Sequence, residues 1–301
     1  MRIMVAHLAR IWKDRVVETY ARSMIRVLRE RGHTVIEAGK TPHANYSDVD
    51  LLLDIDCGRD EKGDLRWHGE SAVPNVHSAV YFIDSHGHPD LHRRIAPHYD
   101  HVFFAVWSKR DLFSRHNSAH WCPNFTDKTW FDGSQYQSGV FSADFGFFGS
   151  KGGLDRAAPL QKIALARGWS TDVRQINYQE RHRWPHTAEE MAKCRVLFNH
   201  GQKHDGPNLR VLESMAMKRP LITDDDPLDG MQNIFMPYAH YIPYGNFNVN
   251  TRTYDHIGLE EAMEMALQPS AMAVAETAYN EVMEKHLVEN RIDQILEVVN
   301  G

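Results

Sequence analysis

Short apolar runs alternate with amphipathic stretches along most of the 301 residues. Arg2 to Ala9 is a predicted strand. From Asp14 to Arg31 a helical period sets Val17, Tyr20, Ala21, Met24 and Leu28 on one side. Gly32 ends that helix and His33 opens a second strand. Asp50 to Asp56, Ser78 to Asp84 and Tyr99 to Trp107 read as further buried strands, with a polar, Gly-containing excursion from Gly58 to Pro74. Gly133 to Gly139 is polar, bounded by glycines, and reads as a linker. The strand–helix pattern then restarts with a strand from Phe141 to Gly149, a helix from Leu154 to Arg167 and a strand near Thr171 to Gln175. A short helix is predicted from Thr187 to Cys194, and the chain turns helical after Tyr244, over Leu259 to Leu267 and Ala271 to Val299.

The stretch from Val196 to Tyr244 carries the most information. Its apolar start, Val196 to Phe198, runs into a polar loop from Asn199 to Pro207. Asn208 is a good N-cap, after which Leu209, Leu212 and Met215–Ala216 recur at helical spacing. Arg219-Pro220 stops the helix, and Leu221 to Thr223 form the next strand. A strand–loop–helix–strand unit of this length is a crossover, and crossovers require a parallel sheet. Backbone N–H groups at the helix start, approached through Gly206, offer an anion site. Glu213 lies one turn further in, beside the apolar face, either at a cleft or on the surface.

Composition narrows the class. A hydrophobic content of 42% with 25% charged residues describes a soluble globular protein, long enough for two α/β domains. No apolar run approaches the ~20 residues of a membrane span. The chain opens in a strand without a signal-peptide core, so a cytoplasmic location is expected. Cys57, Cys122 and Cys194 lie far apart and fit free thiols in a reducing compartment. The net charge of −6 argues against a broadly basic nucleic-acid surface. The first strand–helix–strand lacks G-x-G-x-x-G, which removes a conventional dinucleotide site.

The run Asn-Leu-Arg-Val-Leu-Glu-Ser-Met-Ala-Met-Lys-Arg-Pro-Leu-Ile-Thr-Asp, from Asn208 to Asp224, resembles the nucleotide-sugar segment of GT-B glycosyltransferases. The likeness is to the CgeB-like (spore maturation protein type) family among the group 1 glycosyl transferases. Asp205 and Glu213 have seven residues between them, which resembles the Glu-x7-Glu pair of retaining GT-B enzymes. In those enzymes the second acid holds the donor ribose hydroxyls and the first lies near the sugar. Phe-Gly-Phe-Phe-Gly-Ser-Lys-Gly-Gly-Leu-Asp-Arg, ending at Arg156, resembles the family's glycine loop beside the donor diphosphate. Lys218 stands where the family has glycine, a change expected to alter the turn. His286 and Arg291 resemble the family's C-terminal helix.

The resemblance implies an α/β, GT-B fold: two Rossmann-like domains with parallel sheets facing across a cleft. Residues 1–135 would form the acceptor-side domain, with a C-terminal helix of about 286–301 packing back on it, and residues 140–285 the nucleotide-sugar domain. It implies transfer of a hexose or pentose from a nucleotide sugar, a UDP-sugar, to an acceptor hydroxyl, with retention and with no metal or other cofactor. Gly149, Lys151, Arg156, Asn208, Arg210, Glu213, Gly230 and Met231 would bind the donor, Arg210 meeting either the phosphates or Glu213. Asp205, with Asp84 and His86 from the N-terminal half, would be catalytic, and Arg10 and His88 would meet the acceptor. Asp224 to Asp226 read as a turn and cap. The acceptor could be a glycan, a small molecule or, as in some phage enzymes, a modified base in DNA.

A rival comes from the histidines. Eight of the 19 fall between His77 and His120. Asp84-Ser-His-Gly-His-Pro-Asp-Leu-His nearly spells the His-x-His-x-Asp-His signature of metallo-β-lactamase-type hydrolases. The third histidine, His92, comes one residue late. This reading makes His86, His88 and His92 a loop-borne metal site.

Overall fold

The computed structural model describes residues 1–7, 11–12, 15–16, 20–39, 47–55, 76–83, 85, 87–136, 139, 141–149, 154–175, 184–201, 206–225, 229–248, 253–255 and 258–301. The chain forms two compact units, Met1–Asn124 with Val288–Gly301, and Phe125–Leu287.

The first unit opens with β1 (Arg2–His7), followed by α1 (Tyr20–Glu30), β2 (Thr34–Gly39), β3 (Leu51–Ile55) and β4 (Ser78–Phe82). Next come α2 (Pro89–Ile95), β5 (His101–Phe104) and β6 (Ala119–Trp121). The strands lie in the order β2-β1-β3-β4-β5-β6, and each neighbouring pair is parallel. α1 starts later than its apolar period suggests, because Arg15–Val16 pairs antiparallel with Ile11–Trp12. Aromatic and β-branched side chains there favour extended backbone. α1 buries Tyr20, Ala21, Met24, Ile25, Val27 and Leu28.

Half of the histidine-rich run is a helix, not a loop. Pro89 occupies a first-turn position of α2, where its fixed φ and missing N–H are tolerated. Leu91, His92 and Ile95 turn inward.

The second unit contains β7 (Ala143–Gly149), α3 (Leu154–Arg167), β8 (Thr171–Gln175), α4 (Trp184–Ala192) and β9 (Cys194–Asn199). It continues with α5 (Leu209–Ala216), β10 (Leu221–Asp225), β11 (Ile242–Asn248), β12 (Thr253–Asp255), α6 (Leu259–Ala266) and α7 (Ala271–Lys285). The order is β8-β7-β9-β10-β11-β12, parallel except for the last pair. Ala157, Leu160 and Ala164 of α3 pack with Phe145, Phe147, Phe198 and Ile222 on one side of this sheet. Val211, Leu212, Met215 and Ala216 of α5 pack with Leu197 and Leu221 on the other. α5 has only eight residues, too few for helix propensity alone to hold it. Burial does so, at about 1.5–3 kcal/mol for each large apolar side chain.

The helical stretch expected from Ala271 to Val299 holds two helices, α7 and a last one. The chain breaks at His286 and Leu287, where Leu287 bridges to Thr126 and the Thr126 N–H bonds the His286 carbonyl at 3.1 Å. α8 (Val288–Asn300) then returns to the first unit. There Arg31 Nη2 meets Asp293 at 2.7 Å, and Arg291 Nε donates to the Pro123 carbonyl at 2.7 Å. Cys122 and Cys194 are free and buried, and burial pushes both thiols up to about 12. Among the described residues no helix is long and apolar enough to cross a membrane.

Candidate active site

In the second unit the strand order reverses between β7 and β9. α3 follows β7 on one face of the sheet and α5 follows β9 on the other. Open α/β sheets bind ligands at such a reversal, beyond the carboxyl ends of the strands.

Gly149 ends β7. A Cβ built there would lie 2.6 Å from ring carbons of buried Phe147, so only glycine fits beside that ring. Arg156 donates from Nη1 to the His200 carbonyl at 2.7 Å. His200, just past β9, is buried and places Nδ1 2.5 Å from the Tyr244 hydroxyl. Asn199 Nδ2 donates to Thr223 Oγ1 at 2.9 Å, and the Gly201 N–H donates to Asp224 Oδ1 at 2.8 Å. Asp224 is buried at the end of β10. These bonds tie the ends of β9 and β10 and the Tyr244 hydroxyl of β11 into one polar rim.

Asn208 caps α5, its Oδ1 accepting from the N–H groups of Arg210 at 3.0 Å and Val211 at 3.3 Å. Arg210 Nη1 lies 2.5 Å from Glu213 Oε2, and the two side chains are only 19% and 4% exposed. Glu213 is therefore a buried, paired carboxylate and not a surface residue. Breaking such a pair by removing one partner typically costs about 3–5 kcal/mol. Gly206, just before α5, sits against the next loop: its Cβ would lie 2.1 Å from Asp229 Oδ2. Asp229 Oδ1 accepts the Met231 N–H at 2.7 Å, and Gly230 between them has φ 87. Gly206, Gly230 and Met231 are thus brought together.

Asp224 and Asp225 are strand residues, a correction to the turn expected there. Asp225 Oδ1 accepts from Tyr241 Oη at 2.7 Å and Gln232 Nε2 at 2.8 Å. Burial, then the carboxylate it donates to, pushes the Tyr241 phenol far above its ordinary range. Asn199, His200 and Tyr244 escape the sequence reading. For Asn199 and His200 the one signal was position, at the carboxyl end of β9 and just beyond it; Tyr244, the third residue of β11, carried none.

Arg10, Asp84, His86, Lys151 and Asp205 lie outside the described residues. His88 is the half-buried residue preceding α2, and its side chain makes no capping bond. His92 is fully buried, stacked on Phe82 at 4.2 Å between ring centres, with Nδ1 3.2 Å from Ser85 Oγ. A helix position packed into the core does not present His92 as a loop-borne ligand. Among the described residues no group of three or more His, Cys, Asp or Glu could hold a metal ion.

Residues 139–297, just over half of the chain's 301, match a family model described as glycosyl transferase-like. The chain belongs to the glycosyl transferase-like family. The match takes in all of the polar rim and α5, so the geometry above is that of a glycosyltransferase. No curated protein matches the sequence. Solved structures share the fold of this glycosyltransferase over nearly their whole length. AviGT4, a glycosyltransferase involved in Avilamycin A biosynthesis, has a TM-score of 0.61 at 12% identity, covering 99% of this chain and 97% of that one. An α-glucosyltransferase in complex with UDP and a 13-mer DNA containing a HMU base has a TM-score of 0.63 at 11% identity, covering 100% of both chains. Anabaena Alr3699/HepE in complex with UDP and glucose has a TM-score of 0.59 at 12% identity, covering 100% and 99%. At such identities the likeness is one of fold, and the fold is GT-B. The metal-hydrolase reading finds no support in the family or in the placement of His92.

Proposed function

We propose that this glycosyltransferase moves a sugar from a UDP-sugar to an acceptor hydroxyl, with retention and without a metal ion, as a CgeB-like enzyme. The observation that carries the reading is the buried Glu213 carboxylate paired with half-buried Arg210 on α5, at the strand reversal of the unit that the family match covers. A buried carboxylate held by a guanidinium is a rigid acceptor for the two hydroxyls of a ribose. Arg156, Lys151 and the amide groups entering α5 offset the charge of the departing diphosphate. Backbone at Gly149, Gly206 and the Gly230–Met231 turn would lie beside it, Gly149 and Gly206 being glycine because Phe147 and Asp229 fill the space of a side chain. Asp205 would stabilise positive charge developing on the sugar. In this reading residues 140–285 hold the donor, and residues 1–135 with the tail from 286 receive the acceptor through Arg10, Asp84, His86 and His88. UDP complexes among the fold relatives support the choice of base.

Calorimetry with UDP-glucose tests the donor site. Glu213→Gln keeps the side-chain volume and should weaken binding about ten- to a hundredfold, the worth of roughly 1.5–3 kcal/mol for a charge-assisted hydrogen bond. An unchanged affinity in folded Glu213→Gln would sink the assignment. Activity surviving EDTA, and NMR of the product anomer, test metal independence and retention.

A second reading makes the acceptor a modified base in DNA. It is favoured by the full-length likeness to the α-glucosyltransferase bound to DNA, and opposed by the net charge of −6. Transfer to an oligonucleotide carrying hydroxymethyluracil decides it.

A further inference from the structure

We infer that His240 is a pH-sensitive clasp on the segment between β10 and β11, and that acid weakens the hold on the donor by opening it. The inference rests on the UDP-sugar reading above and adds a regulation of that site. All of its parts lie in the second unit. His240 grips Met236 twice: its Nδ1 accepts the Met236 N–H at 2.9 Å, and its own N–H donates to the Met236 carbonyl at 2.9 Å. A backbone amide only donates, so Nδ1 carries a lone pair and the neutral ring keeps its proton on Nε2. Inside the clasp Tyr238 holds φ 62, a left-handed conformation that a residue with a Cβ resists. The Met236 and Tyr238 side chains are 64% and 61% exposed, so their burial does not hold the turn. Hydrogen bonds do, and the imidazole supplies one of them.

Protonation puts a second proton on Nδ1 and sets two donors against each other, so a cationic ring cannot keep the Met236 bond. The charged groups facing His240 come from α7 and the residue just past it. Glu281 attracts the cation, but Lys285 Nζ holds its two oxygens at 3.2 and 3.0 Å, and Oε1 lies 3.8 Å from His286 Nε2. His240 and His286 both pack on the Phe235 ring, at 5.8 and 4.9 Å between centres. Burial holds His240 below the ordinary histidine range, against the pull of Glu281 and with smaller help from Lys285. The closed clasp therefore has its full stability above the ordinary histidine value of 6.5 and loses it as the pH falls below. It sits between two features of the donor side. The Gly230–Met231 turn, with the Met231 N–H on Asp229, opens the segment. Tyr241, next to His240, closes it by donating Oη to Asp225 at 2.7 Å at the carboxyl end of β10. Opening the clasp loosens the chain that joins the two.

The test compares the full-length wild type with His240→Asn, whose Oδ1 takes the place of Nδ1 and accepts the Met236 N–H at any pH. Two measurements are made between about pH 7.5 and about pH 5.5, either side of the ordinary histidine value. In protein labelled at methionine nitrogen, the Met236 amide signal, assigned by its loss in Met236→Leu, should move with pH in the wild type and stay still in His240→Asn. By calorimetry, wild-type affinity for UDP-glucose should fall roughly two- to tenfold toward the acid end, the worth of one neutral hydrogen bond. His240→Asn should hold its affinity over the same range. A Met236 amide that does not titrate in the wild type overturns the clasp, whatever the ligand does. Affinities that fall equally in wild type and His240→Asn, or in neither, overturn its coupling to the donor. If His240→Asn does not fold, His240→Gln takes its place under the same criteria. A wild type that fails to bind UDP-glucose at any pH overturns the donor reading and the coupling with it, and the amide titration tells that result apart from a failure of the clasp itself.

Discussion

Lys218 holds φ 56, in the left-handed region that glycine enters without steric cost. The resemblance expects glycine here and an altered turn; this chain places a lysine in that left-handed conformation. Its Nζ lies 2.7 Å from Glu276 and 5.2 Å from the centre of the Tyr279 ring. A left-handed residue with a Cβ costs about 1–2 kcal/mol, and a partly exposed ion pair returns only about 0–1 kcal/mol. Lys218→Gly removes the strain but gives the unfolded chain about 0.4–1 kcal/mol of extra freedom. It should therefore lie within about 1 kcal/mol of wild type, a scale set by those terms. Lys218→Ala keeps the strain and loses both contacts, so its urea midpoint should fall below that of Lys218→Gly. The reverse order would show that the strain argument is wrong. Gly206→Ala acts differently, driving a Cβ to 2.1 Å from Asp229 Oδ2. Overpacking of this kind costs about 1–3 kcal/mol, and we expect lower UDP-glucose affinity by calorimetry because the loop entering α5 must shift. Among the candidate site residues, the sequence made the Asn208 cap legible because its local spacing encodes it. The burial of Glu213 was not legible, since it depends on how closely α5 lies on β9 and β10.

At the level of elements, the amino ends of β4, β5 and β6 gather a histidine edge. His77 Nε2 and His101 Nε2 are 2.8 Å apart, so only one of the two nitrogens can carry a proton. His101 Nδ1 lies 2.7 Å from Ser118 Oγ, which lies 2.9 Å from His120 Nε2, while His116 Nδ1 accepts the Ser118 N–H at 3.1 Å. Burial first, then the charge His77 would carry, hold His101 below the ordinary histidine range, against the opposing pull of Asp100 and with smaller help from His120 and His116. Burial, then His116, lowers His120 as well. A histidine lowered in the folded state protonates more readily when unfolded. Stability should therefore fall as pH drops through the ordinary value near 6.5. Melting curves between about pH 7 and 5 should show this loss, and His101→Gln should flatten it; parallel curves would count against the edge. The sequence gathered these histidines into a cluster but not into this edge, because strands two crossovers apart meet only in the sheet. α3 and β8 fall where periodicity places them, since each carries its own apolar pattern. β11 does not, because Ile-Pro-Tyr-Gly-Asn-Phe-Asn mixes strand formers with proline and glycine, and only its place beside β10 decides the conformation.

For the whole molecule, two parallel sheets and the helices that cross them were readable from the alternation of apolar runs with amphipathic stretches. The split of the tail at His286 was not readable from periodicity, because nothing in Ala271 to Val299 breaks the helical period strongly; only the resemblance implied a separate helix from about 286. What breaks it is Thr126, 160 positions away from His286 in the chain, whose N–H takes the His286 carbonyl. Residues 125–287 expressed alone should melt as one cooperative transition in circular dichroism. Residues 1–124 alone should not, since they lack Arg291 and its bonds to the carbonyls of Pro123 at 2.7 Å and Asn124 at 3.4 Å. A cooperative transition for residues 1–124 would refute the importance of that returning helix.

The pairing of Thr126 with Leu287 also has a meaning for the gene. The second unit is one uninterrupted passage of coding sequence whose two ends emerge side by side, whereas the first unit is written in two passages that flank it. A recombination event with both crossovers near these codons can therefore exchange the complete second unit, and no single crossover can do the same for the other half.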